Sequence, residues 1–243
     1  MNTMTKILIA VTIVTIGLSC PFVATAAPPL DDGEQAHLIF MREEEKLARD
    51  VYWTLGLEYP NSPVFMNIAL QAEQTHTDTM LAKLDQFSIT DPNPYTGTLP
   101  DDVGFVGIFT GADYGAYFTG KYDGLIDQAK EGVLEALYVG ALIEELDMHD
   151  IKKCPKVIVD ADNGIGDGEC GLEYTNVRAL ERSLENLLSG SKNHLCAFVS
   201  QIIAIEPPGT CYVAQYLSQE EVNAIVLERC SDIAEYVCVT QRP

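Results

Sequence analysis

Glu73 and His76 stand three residues apart in a stretch where Met66, Ala69, Glu73, His76, Met80 and Phe87 recur at intervals of threes, fours and a double turn. On an α-helix, residues three apart lie about 60° apart around the axis and about 4.5 Å along it. A carboxylate and an imidazole so placed reach one metal ion from one face. Glu45, Glu144 and His194 fall on equally apolar stripes of three other segments. Burying an unpaired carboxylate costs several kcal/mol, so several at interior positions demand a shared compensating charge. A pair of cations is the simplest such charge, and this mix of ligands suits two iron ions, or manganese. In this reading Glu45, Glu73 and His76 hold one ion, and Glu144, His194 and Asp147 the other, with Glu73 or Glu144 bridging.

Four long helices must position these groups. The first starts near Asp31, with Glu34 as its capping pair, and aligns Leu38, Met41, Glu45, Ala48, Tyr52 and Leu55. The second opens with Ser62 as N-cap and Pro63 at the first helical position, and ends before Asp91-Pro92. The third covers 133–153 and aligns Leu137, Ala141, Glu144, Met148 and Ile151. The fourth covers 172–205, aligns Leu180, Leu184, Leu187, Ser191, His194 and Phe198, and is stopped by Pro207-Pro208-Gly209. A short turn at 58–61 joins the first two, whereas 88–132, rich in Gly, Pro and Asp, separates the second from the third with a short helix at 122–131. The expected fold is therefore all-α, a ferritin-like four-helix bundle with one long crossover between helices two and three. Residues 27–205 form the bundle, and 206–243 form a small Cys-bearing appendage with a helix at 219–229.

Ferritin-like dimetal bundles take one Glu from each of two helices and a Glu-x-x-His pair from each of the other two. The fourth helix departs from that scheme, because Ser191 stands where a Glu would pair with His194, and Asp147, close to Glu144 on its helix, supplies the missing carboxylate. Glu45-Lys46-Leu47-Ala48-Arg49-Asp50-Val51-Tyr52 resembles the first iron-binding helix of rubrerythrins. That resemblance selects Glu45 over Glu44 as the ligand. Together with Asn67-Ile68-Ala69, Glu73-Gln74-Thr75-His76, Ile143-Glu144-Glu145-Leu146-Asp147 and 190–198, it also resembles a ferritin-like family defined as domain of unknown function 2202. The resemblance spans about 31–205 and implies the fold and a metal centre, but no particular reaction. Tyr52 is the candidate catalytic residue, donating to a bridging oxygen, or else a core residue with a satisfied hydroxyl. Arg49 is expected to pair with a ligand carboxylate, His37 and His149 to be exposed, and Trp53 to pack.

Lys6, the apolar run 7–18 and Ala24-Thr25-Ala26 read as a signal peptide over 1–26. The run is shorter than the roughly 20 residues that span a bilayer, so the mature chain has no membrane span. A formal net charge of −21 disfavours nucleic acid and anionic membranes and attracts cations. Beyond Cys20, six cysteines remain, an even set in an exported chain, and none forms Cys-x-x-Cys. A Cys154–Cys170 disulfide is expected to close a loop whose Asp160, Asp162, Asp167 and Glu169 alternate with glycines. That loop resembles one aspartate-rich repeat of thrombospondin type 3, which makes Ca²⁺ a second candidate cofactor, against a plain polar turn.

The function expected is that of a secreted or periplasmic dimetal-carboxylate protein, di-iron first, reacting with oxygen or peroxide as a ferroxidase or peroxidase. Its partners are metal ions, a small oxidant and an external reductant, with a homodimer as the candidate assembly. The alternative is a ferritin-like protein that binds metal without turnover. A third reading has no metal and pairs the carboxylates with Arg49 and Lys192.

Overall fold

The structure is a computed structural model that describes residues 29–161, 163–230, 233 and 238. The signal-peptide expectation at 1–26 and the calcium candidate Asp162 lie outside the described residues. Every regular element among the described residues is helical. In chain order they are α1 (Asp32–Glu58), α2 (Val64–Asn67), a π-helical stretch (Ile68–Glu73), α3 (Gln74–Phe87), α4 (Gly115–Ala129), α5 (Val133–Lys152), α6 (Lys156–Val159), α7 (Arg178–Ile205) and α8 (Gln219–Arg229). α2, the π stretch and α3 run without a break as one rod over 64–87.

α1 starts where its sequence dictates. Asp31 accepts from the Glu34 amide at 2.8 Å and Glu34 returns a bond to the Asp31 amide at 3.1 Å. Such a cap contributes about 1 kcal/mol. Ser62 does not cap the second rod; Pro63 occupies the N-cap and no side chain bonds there. α7 starts at Arg178, later than its periodicity suggests. Leu172 and Glu173 instead donate their amides to Ile151 and Lys152 at the end of α5. Gly171 makes this possible, with φ +91° and backbone too close for a side chain.

α1 packs along the 64–87 rod and α5 along α7, while contacts of α1 with α5 and of α3 with α7 join the two pairs. α4, longer than the helix read at 122–131, covers α1 and α5. The stripes of α1, α5 and α7 are buried as expected, including Leu38, Leu55, Leu137, Ile151, Leu184 and Phe198. In the second rod the stripe shifts at its start: Phe65 is fully buried and Met66 only half-buried. The π stretch explains this, because its wider turn adds a residue and moves everything before it around the axis.

Three cysteine pairs stand at disulfide distance: Cys154 with Cys170, Cys196 with Cys230, and Cys211 with Cys238. The second ties α7 to the end of α8, and covalent closure of such loops typically contributes about 2–4 kcal/mol. No helix among the described residues is long and apolar enough to cross a membrane.

Candidate metal centre

Glu45 comes from the middle of α1, Glu73 is the last residue of the π stretch, and His76 follows in the first turn of α3. Glu144 lies mid-way along α5 and His194 mid-way along α7. A π turn at a ligand is a recurrent feature of functional helices, since it re-aims one side chain without breaking the rod. The five residues fall into two triads, Glu45/Glu73/His76 and Glu73/Glu144/His194, each with ligand atoms within 4.8 Å of one another. Glu73 belongs to both. Its Oε2 lies 3.2 Å from His76 Nδ1, and its Oε1 lies 2.8 Å from His194 Nδ1. Glu45 Oε2 is 3.2 Å from His76 Nδ1 and Glu144 Oε2 is 3.4 Å from His194 Nδ1. The two imidazole centroids are 5.5 Å apart.

The charges here are poorly matched by protein groups. Among the described residues, the ion-pair partners of Glu45, Glu73 and Glu144 are His76 and His194 alone. Arg49 does not reach them: it bonds Asp50, the Gln74 side chain and the carbonyls of Thr96 and Gly97. Lys192 pairs with Glu228. Burial pushes the Glu45 carboxyl up to about 7, against the pull of His76, and raises Glu144 as well. Burial also raises Glu73, but His76 and His194 outweigh it and hold Glu73 below the ordinary carboxylate range. Burial would lower both imidazoles; Glu73 and Glu45 carry His76 to about 12, while Glu144 and Glu73 carry His194 to about 10.

The donor set fits a pair of cations. Glu45 Oε1, Asp147 Oδ1 and His194 Nδ1 are buried and make no hydrogen bond. His194 Nδ1 is thus close to Glu73 but not aligned on it, as expected when two ligand atoms converge on a third point. Glu45, Glu73, Glu144 and Asp147 together balance two divalent ions if both imidazoles are neutral. Gly190 leaves room for the arrangement, because a Cβ there would stand 2.6 Å from the His76 ring.

Tyr52 and Ser191 hold two of the carboxylates. The Tyr52 hydroxyl donates to Glu144 Oε1 at 2.6 Å and lies 3.1 Å from the Gly140 carbonyl. It is therefore a positioning residue for Glu144 in this arrangement, with its ring against Phe198. Ser191 donates to Asp147 Oδ2 at 2.5 Å and so orients the carboxylate from α5. Asp147 is buried beside the two triads but belongs to neither.

The family described as "Uncharacterized protein domain (DUF2202)" matches residues 34–229, which include all of these groups. The chain belongs to the DUF2202 family. A relative in this comparison is "Uncharacterized protein MJ0754" of Methanocaldococcus jannaschii, 34% identical over 198 residues, covering 82% of this chain and 89% of the relative. The crystal structure of hypothetical protein MJ0754 from Methanococcus jannaschii DSM 2661 is similar, with a TM-score of 0.65 and 33% identity, over 82% of this chain and 95% of that one.

Other expectations land differently in this DUF2202 chain. Glu43, Glu44 and Glu45 are all buried. Glu43 accepts from Asn93 at 3.1 Å, and Glu44 points to a cavity under α4. His37 is buried, with Nε2 2.7 Å from the Asp150 carbonyl, and His149 is half-buried against the Asp150 carboxylate. Asp160 is held by Lys156, and Glu169 accepts from the Gly166 amide. The described acids of that loop, Asp160, Asp167 and Glu169, do not gather into a metal-sized group.

Two roles escaped the sequence. Arg42, Lys46 and Arg49, at helical spacing on the back of α1, are buried and clamp the crossover. Arg42 bonds Asp91 through two nitrogens, and Lys46 pairs with Asp50 and donates to the Phe105 carbonyl. Glu145 is fully buried and accepts from the Tyr212 hydroxyl and the amides of Gln215, Tyr216 and Leu217. The signal was present in each case: charges at positions whose helical phase is neither on the metal stripe nor clearly outward.

Proposed function

We propose that this protein is a secreted dimetal-carboxylate protein of ferritin-like four-helix architecture that carries two iron ions, or manganese, and reacts with oxygen or peroxide in the manner of a ferroxidase or peroxidase. One observation carries the reading: Glu73 faces both imidazoles from the shared edge of two buried triads that no lysine or arginine among the described residues neutralises. The four packed rods with a long connection between the second and third support the ferritin-like architecture. Three cysteine pairs at disulfide distance support export to an oxidising compartment.

A redox-active metal pair supplies electrons to the oxidant and an open position for it. The chain's own residues do the rest. Glu45, Glu73 and His76 would hold one ion, and Glu73, Glu144 and His194 the other. The imidazoles must give up a proton at Nδ1 for this, so loading releases protons. Tyr52 fixes the orientation of Glu144. Asp147 lies buried beside the centre, where Ser191 restrains its Oδ2 and leaves Oδ1 free. Phe198 and the Tyr52 ring exclude water from one end.

The test is single-turnover oxidation of Fe(II) added to metal-free chain under oxygen or peroxide. Oxidation well above the rate of free Fe(II), lost in Glu73→Ala, is expected. A second reading, metal binding without turnover, is favoured by Ser191 in place of a fourth-helix Glu. Stoichiometric binding with oxidation no faster than free Fe(II) would select it.

A further inference from the structure

Glu45 turns into the metal centre, and its neighbour Glu44 turns the other way, into a cavity of about 250 Å³ between α1, α4 and α5. The cavity walls are apolar: Leu47 on α1, Leu125 on α4, and Leu142 and Leu146 on α5. Glu44 is 7% exposed and makes no hydrogen bond or ion pair among the described residues, and its Oε2 is fully buried without a partner. An unpartnered carboxylate in that setting is costly, and nothing in the surrounding packing meets it.

The α4 wall adds an independent observation. Gly120 and Gly124 lie one turn apart on the face that lines the cavity, and a Cβ at either would meet nothing within 4 Å. Neither takes a positive φ, so the backbone does not require glycine there. Glycine disfavours a helix relative to alanine, and what the two exposed glycines leave in exchange is an open wall to the cavity. The charges lining that space are Glu44, Asp150 and Lys121. Asp150 is engaged by His149, and the Lys121 ammonium lies over the Tyr117 ring, 5.3 Å from its centroid, and not on Glu44. A cation entering the cavity thus finds a carboxylate free to receive it, and an anion does not.

We propose that this cavity is a binding site for a small amphiphile with an ammonium head and an apolar body, the head paired with Glu44 and the body against Leu47, Leu142 and Leu146. The site is separate from the metal centre: it uses no metal ligand, and its occupancy does not depend on the reading given above.

The probe is hexylammonium, titrated by calorimetry into the full chain as purified, with hexanoate as the comparison. One hexylammonium per chain is expected to bind, with no heat from hexanoate. Glu44→Gln is expected to weaken binding at least tenfold while the metal content stays the same. Gly124→Leu fills open space and favours the helix, so its Tm should hold or rise while hexylammonium binding is lost. Absence of hexylammonium binding to a folded wild-type chain overturns the proposal, as does equal affinity in both variants. Dissociation of a dimer by Gly124→Leu in light scattering, without amine binding, would assign the surface to a second copy of the chain and also overturn it. Loss of metal from the wild-type chain bears only on the metal reading.

Discussion

Glu73 differs from the other candidate ligands because its two oxygens face different imidazoles, His76 through Oε2 and His194 through Oε1. Removing it should therefore empty both positions, whereas removing His76 should empty only the one it shares with Glu45. Metal analysis of Glu73→Ala and His76→Ala is expected to give near zero and about one ion per chain, with Glu44→Ala close to wild type. Equal loss in Glu44→Ala and Glu45→Ala would mean that α1 is phased differently from its burial pattern. The burial of Glu45, Glu144 and His194 was legible because burial on α1, α5 and α7 follows the 3.6-residue period, and a carboxylate or imidazole on such a stripe needs a reason. The exposure of His37 was misjudged because one histidine carries no periodic signal of its own; its place against the Asp150 carbonyl depends on how α5 ends beside α1.

At the scale of elements, the π stretch and the appendage anchor were the hardest to read. Nothing in Ile68-Ala69-Leu70-Gln71-Ala72-Glu73 marks a wider turn, and only the swap of Phe65 for Met66 in the core betrays it. The start of α7 was missed because Leu172 continues an apolar pattern while its amide is taken by Ile151. Glu145 sits between two site residues, yet its carboxylate gathers the amides of Gln215, Tyr216 and Leu217 and so pins the segment before α8. Glu145→Ala leaves those amides unmet, and a loss of about 3 kcal/mol in urea denaturation is expected, with metal content unchanged. A loss under about 0.5 kcal/mol would mean that the appendage is held by its apolar contacts and cysteine pairs instead.

For the whole molecule, the metal-free chain buries carboxylates whose charge only protons relieve. Glu43 and Glu45 titrate near 7 when folded against an ordinary 4.5, so between those values the unfolded chain loses protons that the folded chain keeps. His76 and His194, at about 12 and 10 against 6.5, extend the same sign upward in pH. Stability from these groups is present in full below about pH 4.5 and is lost as pH rises; Glu73, held low, has the opposite sign and acts only below 4.5. The Tm of metal-free protein should accordingly fall by on the order of 5 °C between pH 5 and 8, and metal-loaded protein should fall less, keeping only the part due to Glu43, which stands outside the centre. In the function proposed, acids and imidazoles from four separate rods tolerate one another through two shared cations. Elemental analysis of the full chain, purified without chelator, tests that most directly: two transition-metal ions per chain are expected, and a well-folded chain that neither contains metal nor takes up Fe(II) or Mn(II) would contradict it.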